Sequence, residues 1–303
     1  MSCNYGSFDL AGFAKPAASW YRAWWLAHVA EGDKSRPPIG NATTVVKIVH
    51  DWNLPAPPIV SVYSNLPAVE LFLNGVSLGK QRMGWANWTQ WAPAFVPGNL
   101  TAIGYDAAGA AVARDTSLTV GTPATIQLSL DAPSVLTGTG EAILLDGQDA
   151  ALVRATVVDA DGNMVAASNH IRVDFKVVSG PGRVIGVGNG DPTSHERNKA
   201  STRMVYNGLV RAVVQASVNS ATADRGRLAE IDVEGGARTQ LVLEPGSEDP
   251  QFIVLEATAN NVDGTPAFSA TGRINIPVSS DAALHHVEAV AARSVVLEHL
   301  SLE

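Results

Sequence analysis

The chain has 303 residues, of which 46% are hydrophobic and 17% are charged. At roughly 100–200 residues per domain, this length predicts two or three domains, and the apolar content excludes a disordered chain. The net charge of −8 argues against a nucleic-acid partner, because phosphate binding needs clustered Lys and Arg. Cys3 is the single cysteine, which excludes an intramolecular disulfide and a thiolate metal site. No apolar run reaches the roughly 18 residues that a membrane span requires.

The first predicted element is a helix over residues 15–29. Pro16 suits the first helical turn, and Trp20, Trp24 and Trp25 recur at the spacing of one helix face. Such a helix needs a large apolar surface to lie against, and nothing before it in the chain supplies one. We therefore expect that Met1 is not the native start. The opening residues lack the basic and apolar stretches of a signal peptide, which leaves the compartment unknown.

From Thr44 the hydrophobic period changes to two, which predicts a first antiparallel β-sandwich over residues 40–121. Asn74 and Gly75 separate two short apolar runs and predict a type I′ hairpin turn, since both positions of that turn need positive φ. Residues 106–109 predict the next hairpin. All seven tryptophans fall within this first third of the chain.

A second strand series follows Pro123 and predicts a larger β-sandwich over residues 123–278. Asp161, Gly162 and Asn163 are predicted to close one of its hairpins. Residues 281–303 return to helical spacing and predict a helical tail. The overall prediction is a mainly β fold of two consecutive antiparallel sandwiches.

Motifs for metal, cofactor or catalytic chemistry are weak in this sequence. His285 and His286 are adjacent, so on a helix they point about 100° apart and chelate poorly. The Asp159 segment begins like an EF-hand loop, but its twelfth position is His170 where the motif requires Glu. We therefore predict no metal, no cofactor and no catalytic residue.

Carbohydrate binding has one candidate segment, MGWANWTQW, with Trp85, Trp88 and Trp91. The flat apolar faces of indole rings can stack on pyranose rings. The competing interpretation is that one or two of these tryptophans close the core of the first sandwich.

Three segments resemble, in order, parts of glycoside hydrolase family 2 β-galactosidases. NYGSFDLAGFAKPAASWYRAWW is similar to the passage that closes their (β/α)8 barrel. SVYSNLPAVELFLNGVSLGK resembles the signature of the sandwich that follows the barrel, and GRVIGVGNGDPTSHE resembles a segment of their Ig-like C-terminal domain. The resemblance implies two Ig-like sandwiches, preceded by a barrel remnant over residues 1–38 and followed by a short C-terminal helix.

In this family both catalytic glutamates lie upstream of the barrel-closing passage, so the resemblance implies that no residue of this chain inherits either role. It implies a non-catalytic C-terminal part of a hydrolase that cleaves terminal β-D-galactosides with retention. The partners that it implies are a carbohydrate, the catalytic barrel and a second copy in a homo-oligomer. The glycine-rich loop of the last domain is a candidate cleft-facing loop, with four polar residues: Asn189, Asp191, His195 and Glu196.

Two other interpretations stay open. The chain is either a stand-alone carbohydrate-binding or adhesive module, or the product of a truncated gene. In the second case residues 1–35 would be sensitive to protease while residues 40–278 would resist it.

Overall fold

A computed structural model describes residues 6–30, 44–53, 59–131, 143–145, 147–216, 228–229, 242–243, 252–268 and 271–279. These residues form a mainly β structure that divides into two compact units. Unit 1 comprises Met1–Thr122, Asp159–Ala166 and Gly190–Thr193, and unit 2 comprises Pro123–Val158, Ala167–Asn189 and Ser194–Glu303. The predicted helical tail, residues 281–303, lies outside the described residues.

Helix α1 spans Pro16–Ala30, which confirms the predicted helix. It packs against the first two strands of unit 1, and Ala23 and Leu26 are buried with Val45. The helix is too short to cross a membrane, and no helix among the described residues is long and apolar enough to do so.

The strands of unit 1 form two sheets, one of three strands in the order β1-β2-β5 and one of four in the order β4-β3-β6-β7. A single core joins the inner faces of both sheets and contains Trp52, Val62, Leu71 and Leu100. Unit 1 is therefore a β-sandwich. Its strands are β1 (Val46–Ile48), β2 (Val60–Ser64), β3 (Ala68–Leu73), β4 (Val76–Arg82), β5 (Trp88–Trp91), β6 (Asn99–Tyr105) and β7 (Ala111–Leu118).

Both predicted hairpin turns of unit 1 are present. Asn74 and Gly75 have φ values of 51° and 82°, and Leu73 pairs with Val76 across the β3–β4 turn. The β6–β7 turn is closed by a hydrogen bond that the Gly109 amide donates to the Asp106 carbonyl at 3.1 Å. Local backbone chemistry is sufficient to specify both turns.

The side chain of Asn74 ties the β3–β4 turn to the segment before β6. Its Nδ2 donates to the Pro97 carbonyl at 3.0 Å, and its Oδ1 accepts from the Asn99 amide at 2.7 Å. Gly98 lies directly against this amide group with φ of 138°, so that a Cβ at this position would stand 1.9 Å from Asn74 Oδ1.

We expect Gly98→Ala to lower the free energy of unfolding by about 2 kcal/mol, from backbone strain together with this collision. Gly109→Ala is the matched control, because Gly109 also has positive φ but open space around its Cα. Its cost should be about 1 kcal/mol from the backbone alone. Urea unfolding followed by tryptophan fluorescence measures both, and equal losses would show that the Asn74 contact has no energetic consequence.

Unit 2 contains a second sandwich with sheets in the orders β12-β14-β10-β8 and β13-β11-β17-β18-β9. Its core includes Val153 and Val214 from the first sheet and Phe175 and Leu255 from the second. All neighbouring strands are antiparallel except β9 and β18, which are parallel. Its strands are β8 (Thr125–Leu130), β9 (Ile143–Leu144), β10 (Ala150–Val158), β11 (Arg172–Ser179), β12 (Gly182–Gly188), β13 (Thr202–Met204), β14 (Leu209–Ala216), the short pair β15 (Leu228–Ala229) and β16 (Val242–Leu243), β17 (Phe252–Asn260) and β18 (Gly272–Ser279).

The predicted hairpin at Asp161, Gly162 and Asn163 is wrong. The turn itself exists, with φ of 83° at Gly162, but the strands on either side of it, β10 and β11, belong to different sheets. A turn sequence fixes the local backbone and carries no information about which strand becomes the neighbour.

Candidate functional site

The three tryptophans of the MGWANWTQW segment lie in different environments. Trp91 is 6% exposed in the core, and its Nε1 donates to the Gly79 carbonyl at 3.1 Å. Trp88 lies three positions earlier on β5, which places it on the opposite face of the strand, where it is 41% exposed. Trp85 stands in the preceding turn and is 89% exposed. Trp91 is therefore a core residue, and a surface platform can contain only Trp85 and Trp88.

Helix α1 adds further exposed aromatic rings to unit 1. Trp20 Nε1 donates to the carbonyl of Ala86 at 2.8 Å, so the helix is attached to the turn that carries Trp85. The ring of Trp20 contacts that of Tyr21 in an edge-to-face arrangement, with centroids 5.2 Å apart. Tyr21 is 42% exposed and Trp25 is 69% exposed. An apolar surface of this kind is typical of a docking face.

The predicted glycine-rich loop is organised around one buried cation, Arg203. Its guanidinium Nη1 donates to the Glu196 carbonyl at 2.8 Å and to Asn198 Oδ1 at 3.1 Å. Nη2 donates to Asn189 Oδ1 at 3.1 Å, and Nε lies 3.5 Å from Glu196 Oε2. Only 5% of the Arg203 side chain is exposed. A buried charge needs this number of partners to offset its desolvation.

Two of the four predicted loop residues are therefore structural. Asn189 is 2% exposed and holds both Arg203 and the Met204 carbonyl, while the Glu196 carboxylate faces Arg203 and the Met204 amide. Asp191 Oδ1 accepts hydrogen bonds from the amide and hydroxyl of Thr193, which forms a short turn. His195 is exposed to solvent.

Asp9, in the segment that resembles the barrel-closing passage, stabilises its own turn. Its Oδ1 accepts hydrogen bonds from the amides of Ala11 and Phe13, each at 2.9 Å. Gly190 belongs to the same unit and lies against this carboxylate. A Cβ added at this position would stand 2.1 Å from Asp9 Oδ2. The glycine at position 190 is therefore required by close packing.

A polar cluster that was not predicted from the sequence lies on the four-stranded sheet of unit 1. Glu70 accepts hydrogen bonds from the Ser77 hydroxyl at 2.5 Å and from the Tyr105 hydroxyl at 2.8 Å. These bonds and nearby Lys80 lower the pKa of Glu70, and the bond to Glu70 raises the pKa of Tyr105. Lys80 Nζ lies 3.4 Å from the centre of the Tyr105 ring, a cation–π contact.

Three carboxyl groups have shifted pKa values, and the direction of the shift does not suit a general acid. The pKa is lowered in Glu70, Asp159 and Asp263 by hydrogen bonds to the carboxylate. The general acid of a glycosidase needs the opposite shift, so that it still carries a proton near neutral pH. Within the described residues no group of three or more metal-ligating side chains comes together.

Asp159 holds the turn that the sequence analysis took for a hairpin. Its Oδ2 accepts from the Gly121 amide at 2.9 Å, and its Oδ1 accepts from the amides of Asp161 and Asn163 at 3.0 and 2.8 Å. The bonds from Gly121 and Asn163 contribute most to lowering the pKa of Asp159.

We expect Asp159 to make stability depend on pH in the acid range. Because its pKa is lower in the folded protein than in the unfolded chain, its contribution is complete above the unfolded pKa of about 4. The contribution disappears as the pH falls through the folded pKa. Urea midpoints of the wild type and Asp159→Asn should therefore differ most near neutral pH and converge in acid. A difference that is constant across this range would contradict the assignment.

Each sandwich overlaps one known family model. Residues 135–224 match the family model described as glycoside hydrolase family 2 C-terminal domain 5, and residues 58–113 match a domain of unknown function, DUF4982. The β-galactosidase BoGH2A of Bacteroides ovatus is 32% identical over 218 residues, which are 71% of this chain and 23% of that enzyme. The chain corresponds to the C-terminal region of a glycoside hydrolase family 2 protein.

Solved structures agree with this family 2 assignment. A glycosyl hydrolase family 2 member from Bacteroides cellulosilyticus matches 90% of this chain with a TM-score of 0.63 and 25% identity. A family 2 β-glucuronidase matches 91% with a TM-score of 0.59 and 20% identity, which is a likeness of fold alone. The chain spans 32% and 24% of these two proteins, so it corresponds to a minor part of each.

Sequence reasoning missed Arg203 and the Glu70 cluster because neither has a local motif. Arg203 contacts residues 5 to 14 positions away, and Glu70 meets Tyr105 across 35 positions. The burial of Trp91 did have a signal. A separation of three residues on a strand places two side chains on opposite faces, so Trp88 and Trp91 cannot share a surface.

Proposed function

We propose that this chain is the non-catalytic C-terminal part of a β-galactosidase-like family 2 hydrolase. The parent reaction would be the retaining hydrolysis of terminal β-D-galactosides, carried out by glutamates of a barrel that the residues described here do not include. The likeness to BoGH2A over 218 residues and the match of residues 135–224 to the family 2 C-terminal domain model support this proposal. The two sandwiches would act as accessory modules that support the barrel.

The aromatic surface of helix α1 supports this role. Trp25 and Tyr21 are 69% and 42% exposed, whereas Ala23 and Leu26 of the same helix are buried. A catalytic barrel packed on this side would bury both rings. Burial of apolar surface stabilises such a contact by roughly 25 cal/mol for each Å² removed from water.

The purified chain is therefore expected to hydrolyse neither aryl β-galactosides nor aryl β-glucuronides. Both substrates should be tested, because the named relatives include a β-galactosidase and a β-glucuronidase. Activity that elutes with the chain through size-exclusion chromatography, and stays in constant proportion to it, would contradict the proposal.

A second candidate function is carbohydrate binding by the exposed pair Trp85 and Trp88. The observation in its favour is their exposure, 89% and 41%, on a segment held in place by helix α1. Affinity electrophoresis in gels that contain a soluble polysaccharide would test it. The wild type should be retarded and the Trp85→Ala/Trp88→Ala double variant should not.

Trp25→Ala is the matched control for this experiment, since it removes an exposed indole outside the pair. It should be retarded like the wild type. Equal mobility of the wild type and the double variant in every polysaccharide would exclude carbohydrate binding at this surface, and would leave the first proposal untouched.

A further inference from the structure

Three Asn-Gly dipeptides occur in the described residues, at Asn74, Asn189 and Asn207. Glycine has no side chain to hinder an attack by its backbone nitrogen on the preceding asparagine, so such dipeptides are the most prone to spontaneous deamidation. The three sites differ in the number of hydrogen bonds that the asparagine side-chain amide forms. Their deamidation rates can therefore be compared within one protein.

At two of these positions the side-chain amide forms hydrogen bonds through both its nitrogen and its oxygen. The Asn74 amide donates to Pro97 and accepts from Asn99. Asn189 is nearly completely buried, donates to Met204 and accepts from Arg203. To react, either side chain must first break two hydrogen bonds.

Asn207, by contrast, is exposed to solvent. Its backbone amide donates to Asn169 Oδ1 at 2.7 Å, but its side-chain amide forms no hydrogen bond with any residue that the structure describes. It occupies a two-residue turn with φ of 50°, followed by Gly208 with φ of 75°. Tyr206 and Leu209 close this turn with two backbone hydrogen bonds of 3.0 Å.

We infer that Asn207 is the preferred deamidation site of the folded chain. The Gly208 nitrogen forms a bond to the side-chain carbonyl carbon of Asn207 and loses its proton, while the bond to the amide nitrogen breaks and ammonia leaves. Water then opens the cyclic imide at either carbonyl and gives aspartate or isoaspartate. The sum is one water consumed and one ammonia released, with no oxidant or reductant.

The conversion has a structural consequence in unit 2. Isoaspartate adds one backbone carbon to a two-residue turn, whose geometry depends on its length. The turn leads into β14, which pairs with both β10 and β12, and the Gly208 carbonyl accepts from the Val157 amide at 2.9 Å. The lesion would therefore disturb the centre of a sheet. This inference is independent of the proposed function.

The test incubates the purified chain, folded and in urea, in mildly alkaline buffer and follows each Asn-Gly peptide by mass spectrometry. In the folded chain Asn207 should convert at least about tenfold faster than Asn74 or Asn189, as expected from two additional hydrogen bonds at each of those sites. In urea the three rates should agree within about twofold, because the protection is lost.

Asn207→Gln provides the control, since glutamine forms the corresponding ring far more slowly. Isoelectric focusing should show an acidic species that accumulates in the wild type and is nearly absent in this variant. Conversion of Asn74 or Asn189 at the rate of Asn207 in the folded chain would overturn the inference. Undiminished formation of the acidic species in Asn207→Gln would overturn it equally.

Discussion

Replacing Trp52 with alanine should lower the free energy of unfolding of unit 1 by about 4 kcal/mol. Trp52 is fully buried, and its ring packs against Phe95 with centroids 5.1 Å apart. Its Nε1 donates to the Val96 carbonyl at 2.9 Å, so the substitution leaves both a cavity and an acceptor that has lost its donor. No other tryptophan of this unit is completely excluded from solvent.

Trp85→Ala is the matched control, because it deletes the same side chain at the most exposed of these positions. We expect it to change stability by at most about 0.5 kcal/mol. Urea unfolding followed by the fluorescence of the six remaining tryptophans compares the two variants directly. Similar midpoints for both would mean that Trp52 does not lie at the centre of this core.

Arg203→Ala should destabilise unit 2 by about 3 kcal/mol, the order found when one member of a buried charge network is removed. Asn189 Oδ1 would lose its hydrogen bond from Arg203 in an almost fully buried position. Among the residues that the structure describes, Glu196 would keep Arg172, at 3.7 Å, as its cationic neighbour. Arg197→Ala removes an exposed guanidinium from the same loop and should have an effect below about 0.5 kcal/mol.

The placement of the tryptophans allows this effect to be assigned to one unit. All seven lie between residues 20 and 91, within unit 1, so their fluorescence reports on that unit. Far-UV circular dichroism reports on the strands of both units. Arg203→Ala should shift the circular dichroism midpoint more than the fluorescence midpoint. A shift seen only by fluorescence would contradict the role of Arg203 in unit 2.

Local signals in the sequence were sufficient for helix α1 and for the turn at Asn74 and Gly75, because helix periodicity and positive φ depend on neighbouring residues. They were insufficient at Asp161–Asn163, where the turn was recognised and the pairing of β10 was wrong. The partner of a strand is set by packing between sheets, which a single sequence does not reveal. The same reason explains why the sequence did not reveal that Asn189 and Glu196, two residues of the candidate cleft-facing loop, contact the buried Arg203.

The proposed non-catalytic role predicts that the chain supplies no glycosidase nucleophile, and covalent trapping tests this prediction most directly. An activated 2-deoxy-2-fluoro-β-galactoside labels the nucleophile of a retaining β-galactosidase, because the glycosyl-enzyme intermediate that forms is hydrolysed very slowly. Intact-mass spectrometry of the purified chain after prolonged incubation should show an unchanged mass, while an active retaining β-galactosidase treated in parallel gains one sugar. A stoichiometric gain of one fluorosugar, mapped to an Asp or Glu of this chain, would contradict the proposed non-catalytic role.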